Sequence, residues 1–99
     1  MIELKQLQYL IMCAEFCSFS RAAEELYTTQ PNVSKVIRSL EEELGFELFQ
    51  RQNRGIQLTT KGRLVYEYAC KVLDHIRQLS EIADIDMENG MKNIPPPSL

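Results

Sequence analysis

Between Ser18 and Arg38 the chain encodes a short helix, a tight turn and a longer helix, and that closeness constrains the fold more than any other feature. Ser20 stands where an N-cap belongs, its hydroxyl placed to accept an unpaired amide of a first turn. Ala22, Ala23 and Leu26 then form an apolar face of small residues, one that lets a second helix approach closely. Thr29 is the next N-cap candidate, and Pro31 falls in the first turn, where a missing N–H is harmless. Beyond it Val33, Ile37, Leu40 and Leu44 mark a buried stripe, while Pro31, Ser34, Lys35 and Arg38 share the opposite, polar and basic face. This is the layout of a helix-turn-helix whose second helix offers its N-terminal half to DNA.

Five pieces of sequence, two of them within this stretch, come in a set order and spacing and extend the pattern. They are Leu4-Lys5-Gln6-Leu7-Gln8-Tyr9-Leu10, Ser18-Phe19-Ser20-Arg21-Ala22-Ala23, Gln30-Pro31-Asn32-Val33-Ser34, Leu40-Glu41-Glu42-Glu43-Leu44-Gly45 running into Leu48-Phe49-Gln50-Arg51, and Gly55-Ile56-Gln57-Leu58-Thr59-Thr60-Lys61-Gly62. Residues 1 to about 62 resemble the N-terminal winged helix-turn-helix of the LysR-type transcriptional regulators. The resemblance implies a mainly α fold, three helices plus a two-stranded β wing, followed by a long linker helix through which two copies dimerise antiparallel. It also implies a large effector domain beyond the linker, and any small-molecule effector would bind there. One departure stands out: Cys17 occupies the place of the family's usual glycine just past the first helix, and would have to take a left-handed cap or end the helix differently.

The residues divide the chain into a head at 1–58, a linker helix at 59–89 and a Pro-rich linker at 90–99. The first helix is expected over Glu3 to Phe16, the second over Ser20 to Tyr27 and the third over Gln30 to Leu44, with Gly45 as C-cap. Phe46 to Gln52 and Ile56 to Leu58 read as strands about an Asn53-Arg54-Gly55 turn. Thr59 begins a long helix expected to reach about Met87. Along it Val65, Ala69, Val72, Ile76, Leu79 and Ala83 step by alternating four and three residues, the seam of a two-stranded coiled coil. Leu64, Tyr68, Leu73, Ile82 and Ile85 lie beside this seam, some of them expected to dock back on the head. Asn89-Gly90 ends the helix, and Ile94-Pro95-Pro96-Pro97 is an extended linker.

Three groups form the expected DNA interface. Gln30, Pro31, Asn32, Ser34, Lys35 and Arg38 are placed for the major groove. There Gln and Asn pair with adenine, Arg and Lys with guanine, and a proline ring meets a thymine methyl. By resemblance all of these except Asn32 occupy the family's reading positions. Asn32 replaces a small apolar residue and is a candidate for this protein's own base preference. Arg51 and Arg54 flank the wing tip and suit a narrow, electronegative minor groove; Arg51 has the alternative of bracing the hairpin against Glu47. Ser20, Arg21, Thr28, Thr29 and Lys61 are candidates for phosphate contacts, which position the protein without reading sequence.

A net charge of −3 looks wrong for a DNA binder, but the charge is segregated. Carboxylates gather in Glu41-Glu42-Glu43-Glu47 and again from Glu81 to Glu88. None falls between Glu47 and Glu67, where Arg51, Arg54, Lys61 and Arg63 stand. The triplet Glu41-Glu42-Glu43 reads as a solvated face that keeps the far end of the third helix off the DNA backbone. The three cysteines, Cys13, Cys17 and Cys70, are widely spaced and lack a nearby histidine, since the sole His75 is remote. They read as small hydrophobes, against a rival in which Cys13 and Cys17 on one helix face answer thiols or metal. No catalytic constellation is visible, and no cofactor, metal or enzyme activity is expected. The longest apolar run, Tyr9 to Ala14, is far too short for a membrane span, no signal peptide opens the chain, and a cytoplasmic location follows. The competing functional class is a helical protein–protein interaction module, in which the net negative charge repels DNA.

Overall fold

The computed structural model describes residues 1–84, so the expectations for 85–99, including the Pro-rich linker, lie outside the described residues. Four helices and one hairpin are present: α1 (Leu4–Phe16), α2 (Phe19–Glu25), α3 (Gln30–Leu44), β1 (Phe49–Gln52), β2 (Gly55–Leu58) and α4 (Thr60–Ile82). This is the mainly α, winged helix-turn-helix architecture expected from the residues. Helix α4 is described over Thr60–Ile82 with Ala83 as its C-cap, and the expected reach to Met87 lies outside the described residues.

The core sits where α1, α2 and α3 meet. Leu10, Cys13, Ala22, Val33, Leu40 and Leu48 are sealed from solvent, and Ile37 is nearly so. Ala22 and Ala23 are the small residues that bring α2 close to its neighbours. On α3 the predicted stripe is buried through Val33, Ile37 and Leu40, with Val36 added to it and Leu44 only half-buried. Gln6 is a buried polar residue that apolar patterning does not reveal. Its amide nitrogen donates to Ser39 Oγ at 3.0 Å, and its carbonyl oxygen accepts from the Glu3 N–H at 2.8 Å. It thus tethers the start of α1 to the middle of α3.

Caps decide the boundaries. Ser18, not Ser20, is the N-cap of α2: its hydroxyl accepts the Arg21 N–H at 3.1 Å, and Ser20 lies exposed inside the first turn. The helix begins one residue earlier than expected because Ser18 satisfies the spacing to that amide while keeping extended backbone angles. Thr29 caps α3 by accepting from Asn32 N–H at 3.2 Å, and Thr59 caps α4 by accepting from Gly62 N–H at 2.9 Å. Gly45 ends α3 in the left-handed region, as expected of a C-cap glycine.

Cys17 ends α1 with φ 51 and ψ 35, the left-handed cap that the missing glycine demands. Tyr27 does the same between α2 and α3, with φ 55. Its N–H reaches Glu24 O at 3.2 Å while Thr28 N–H reaches Ala23 O at 3.0 Å, the paired bonds of a Schellman turn built on a tyrosine.

The hairpin leans on the head rather than standing alone. Phe49 and Ile56 are buried, and the Phe49 ring meets Phe19 of α2 edge-on at 5.7 Å. Glu41, read from sequence as part of a solvated triplet, turns back instead: its carboxylate accepts the Leu48 N–H at 2.7 Å and holds the loop into β1.

Candidate nucleic-acid interface

Helix α3 exposes the polar side its sequence predicts. Gln30, Pro31, Lys35 and Arg38 are exposed and Ser34 half-buried, while Val33, Val36 and Ile37 hold the helix to the core from behind. Gln30 Nε2 donates to Ser34 Oγ at 3.0 Å, so two neighbouring reading candidates partner each other. Asn32 departs from expectation. Its side-chain amide donates inward to Thr28 Oγ1 at 2.9 Å and reaches the Tyr9 hydroxyl at 3.4 Å, tying α3 to the turn before it and to α1. Those bonds engage the same amide nitrogen that a bidentate adenine contact would use.

The phosphate candidates fall in two places: Ser20, Arg21, Thr28 and Thr29 on α2 and the turn into α3, and Lys61 at the start of α4, beside the loop that follows α3. Arg21 is exposed and rests its guanidinium over the Phe16 ring at 5.1 Å, and Lys61 rests over Phe46 at the same distance. These stations hold long cations near the head, and neither pairs with a carboxylate among the described residues. Thr29 keeps its cap, Thr28 accepts from Asn32, and Ser20 is free at the surface of α2. Tyr27 had no signal in the sequence. It is 96% exposed although its backbone is in the left-handed region, so its ring stands out from the turn that leads into α3.

The wing separates its two arginines. Arg54 lies in the two-residue turn between β1 and β2, and Arg51 lies within β1 opposite Ile56. Both are exposed, and Arg51 forms no ion pair with Glu47 among the described residues.

The expected dimer seam divides in two. Ala69 is buried in the head's core and Val65 packs against it, so neither is available at a second helix. Conversely Leu64 and Tyr68, candidates for docking back, point outward. Leu64, Tyr68, Val72, Ile76, Leu79 and Ile82 are all exposed and fall within about 120° of arc at 3.6 residues per turn. Ala83, the last seam residue, is exposed at the C-cap. The four–three spacing places both faces within one turn of each other, so only packing tells them apart.

Of the cysteines, Cys13 is enclosed in the core, where burial pushes its thiol up to about 12, whereas Cys17 is exposed and Cys70 half-buried. No helix among the described residues is long and apolar enough to cross a membrane.

The family model of bacterial regulatory helix-turn-helix proteins of the lysR family matches residues 4–63. The chain is 40% identical over 78 residues to the HTH-type transcriptional regulator BenM of Acinetobacter baylyi, a match covering 79% of this chain and 26% of BenM. It is 46% identical over 72 residues to the regulator BudR of Klebsiella aerogenes, covering 73% of this chain and 50% of BudR. The chain therefore spans between a quarter and a half of the length of these relatives. Among solved structures, the BenM DNA-binding domain in complex with benA site 1 DNA matches with a TM-score of 0.80 at 37% identity, over 84% of this chain and 93% of that one. The CbnR DNA-binding domain in its DNA complex matches with a TM-score of 0.78 at 32% identity, over 84% and 95%. With α3 and the wing arranged as described, and with 60 of its 99 residues inside the family's own model, the chain belongs to the LysR family of bacterial regulatory helix-turn-helix proteins and carries that family's DNA-binding domain.

Proposed function

We propose that this domain binds a two-fold operator in double-stranded DNA as a homodimer, with α3 in the major groove and the wing tip in the adjacent minor groove. In this reading Gln30, Pro31, Ser34, Lys35 and Arg38 meet base edges, Arg54 enters the minor groove, and Ser20, Arg21, Thr28, Thr29 and Lys61 hold phosphates. Asn32 braces α3 from behind. The observation that carries the reading is the exposure of Gln30, Pro31, Lys35 and Arg38 at the N-terminal half of a helix whose other side is buried. The dimer rests on the outward stripe from Leu64 to Ile82, which has nothing in its own head to cover it. The division into a head at 1–58 and a linker helix from 59 fits the end of β2 at Leu58 and the cap at Thr59.

The protein acts in the cytoplasm, catalyses nothing and needs no cofactor or metal; a small-molecule effector belongs to the further length that its relatives possess. Selection of bound sequences from a random duplex library, followed by titration of the best one at two salt concentrations, tests the function. Recovery of a two-fold motif, with log K falling by about 0.9 per tenfold rise in salt for each phosphate neutralised, supports it. Salt-independent binding, or no enriched sequence, defeats it in favour of a protein-interaction module.

A further inference from the structure

The two arginines of the wing occupy different places on it, one in a strand and one in the turn. In the ribbon Phe49 pairs with Leu58, Arg51 with Ile56 and Gln52 with Gly55. Paired residues share a face, and faces alternate along a strand. Arg51 therefore leaves the ribbon on the same side as Phe49 and Ile56, the side that packs on the helices, while Arg54 projects from the turn. Arg51 is nevertheless exposed, because the head ends before it is covered.

What lies beside Arg51 is a notch between the wing and α3. One part is a cleft of about 300 Å³ bounded by Ser18, Ser20, Gln30, Arg51 and Asn53, and no carboxylate lines it. On the other side of Arg51 a cleft of about 420 Å³ carries Arg38 but also Glu41 and Glu47. In the second cleft two carboxylates offset two arginines, whereas the first has Arg51 with no carboxylate, so an anion is favoured at the first. The first cleft also opens at Gln30, the residue with which α3 begins.

A protein that fills a major groove with a helix and the neighbouring minor groove with a wing must straddle one sugar–phosphate strand, because that strand is what separates the two grooves. Resting on the proposed DNA-binding mode, we infer that this strand passes through the carboxylate-free cleft, and that Arg51 grips one of its phosphates as a positioning residue. It reads no base. The planar guanidinium suits the bidentate geometry of a phosphodiester, and the hydroxyls of Ser18 and Ser20 and the amide of Asn53 line the same opening. Sequence and width in the minor groove are then left to Arg54 alone.

The test compares Arg51→Gln, Arg51→Lys and Arg54→Ala with the unmodified protein on the selected operator, across a salt series and in repeated sequence selection. Arg51→Gln is expected to weaken binding about tenfold on every sequence, to lower the salt slope by about 0.9, and to return the same motif. Arg51→Lys should restore the slope and part of the affinity. A scan replacing single phosphates of each half-site by neutral methylphosphonate should find one position that weakens the unmodified protein and leaves Arg51→Gln no weaker than before. If Arg51→Gln instead relaxed base preference in the flanks, or no such position existed, the phosphate assignment would be overturned while DNA binding stood. If the unmodified protein failed to bind any duplex, the underlying function would fall first.

Discussion

The backbone carbonyl of Cys17 accepts the N–H of Ile56 at 3.1 Å, joining the end of α1 to the second strand of the wing. The bond explains why Cys17 adopts a left-handed conformation that glycine would accept more easily: the residue turns its carbonyl toward the ribbon. Gly55 lies against the same carbonyl, where a Cβ would collide with it, and its φ of 103 is closed to other residues. The hairpin is thus held from one side by Phe49 on Phe19 and from the other by a single peptide group.

Gly55→Ala should therefore displace the wing. A loss of about 1–3 kcal/mol in urea unfolding is expected, from the strained φ and the collision together. The Ile56 amide should at the same time lose its protection against hydrogen exchange. An unchanged exchange rate would show that the Cys17 contact does not hold the hairpin.

Cys17→Gly should act in the opposite sense. Relief of the left-handed backbone, worth about 1–2 kcal/mol, outweighs the added freedom of the unfolded glycine, worth about 0.5–1. The urea midpoint should rise at constant slope, while DNA affinity stays within twofold.

On DNA, Gln30→Ala and Arg38→Ala should each relax base preference and weaken the best site by about 1–3 kcal/mol. Asn32→Ala should behave differently. Losing its bonds to Thr28 and Tyr9 lowers folding stability by about 1 kcal/mol, and the selected motif stays the same. Altered base preference in that variant would return Asn32 to the reading set. Arg54→Ala should weaken binding most where the flanks are A/T-rich and the minor groove narrow, as measured on matched duplexes.

The outward stripe of α4 gives a test of assembly. Val72→Glu together with Leu79→Glu should split the dimer in sedimentation while leaving the melting of the head unchanged, because neither residue belongs to the head's core. Affinity for a full operator should then fall far more than for a half-site. Ala69→Glu should instead unfold the head, since Ala69 is only 2% exposed within it.

Cys13 supplies a pH dependence. Burial raises its thiol from the ordinary 9.0 to about 12, so the folded state favours the neutral form. That contribution is complete below pH 9 and is lost as pH rises from there toward about 12. Stability should fall over this alkaline range, with a shallower fall for Cys13→Ala despite its lower stability at neutral pH. Iodoacetamide at pH 8 should modify Cys17 in the folded protein and Cys13 only after unfolding.

Apolar periodicity was enough to recover the helix order, the α3 stripe and the two-stranded wing, because helix and strand repeats differ and the turn residues mark their ends. Capping was legible at Thr29 and Thr59 but misplaced at Ser20, since Ser18 and Ser20 are both competent and only the Arg21 amide chooses between them. The α4 stripe was legible as apolar yet not as two faces. Val65 and Ala69 differ from Val72 and Leu79 in what lies opposite them, and that is decided by α1, distant in sequence. The roles of Asn32, Gln6 and Glu41 escaped for the same reason: each polar group meets a partner that spacing alone does not name.

The burial of Ala69 makes α4 a lever with a short arm. The helix is seated against the head near that small residue and then runs on to Ile82 without support from the described head. A tilt of about 10° at that seat swings the helix end at Ile82, about 20 Å away, by roughly 3.4 Å. That is close to one base-pair step of duplex. In the proposed dimer, where each lever carries the opposite head, small adjustments at the Ala69 seat translate into which half-site separations the two heads span together.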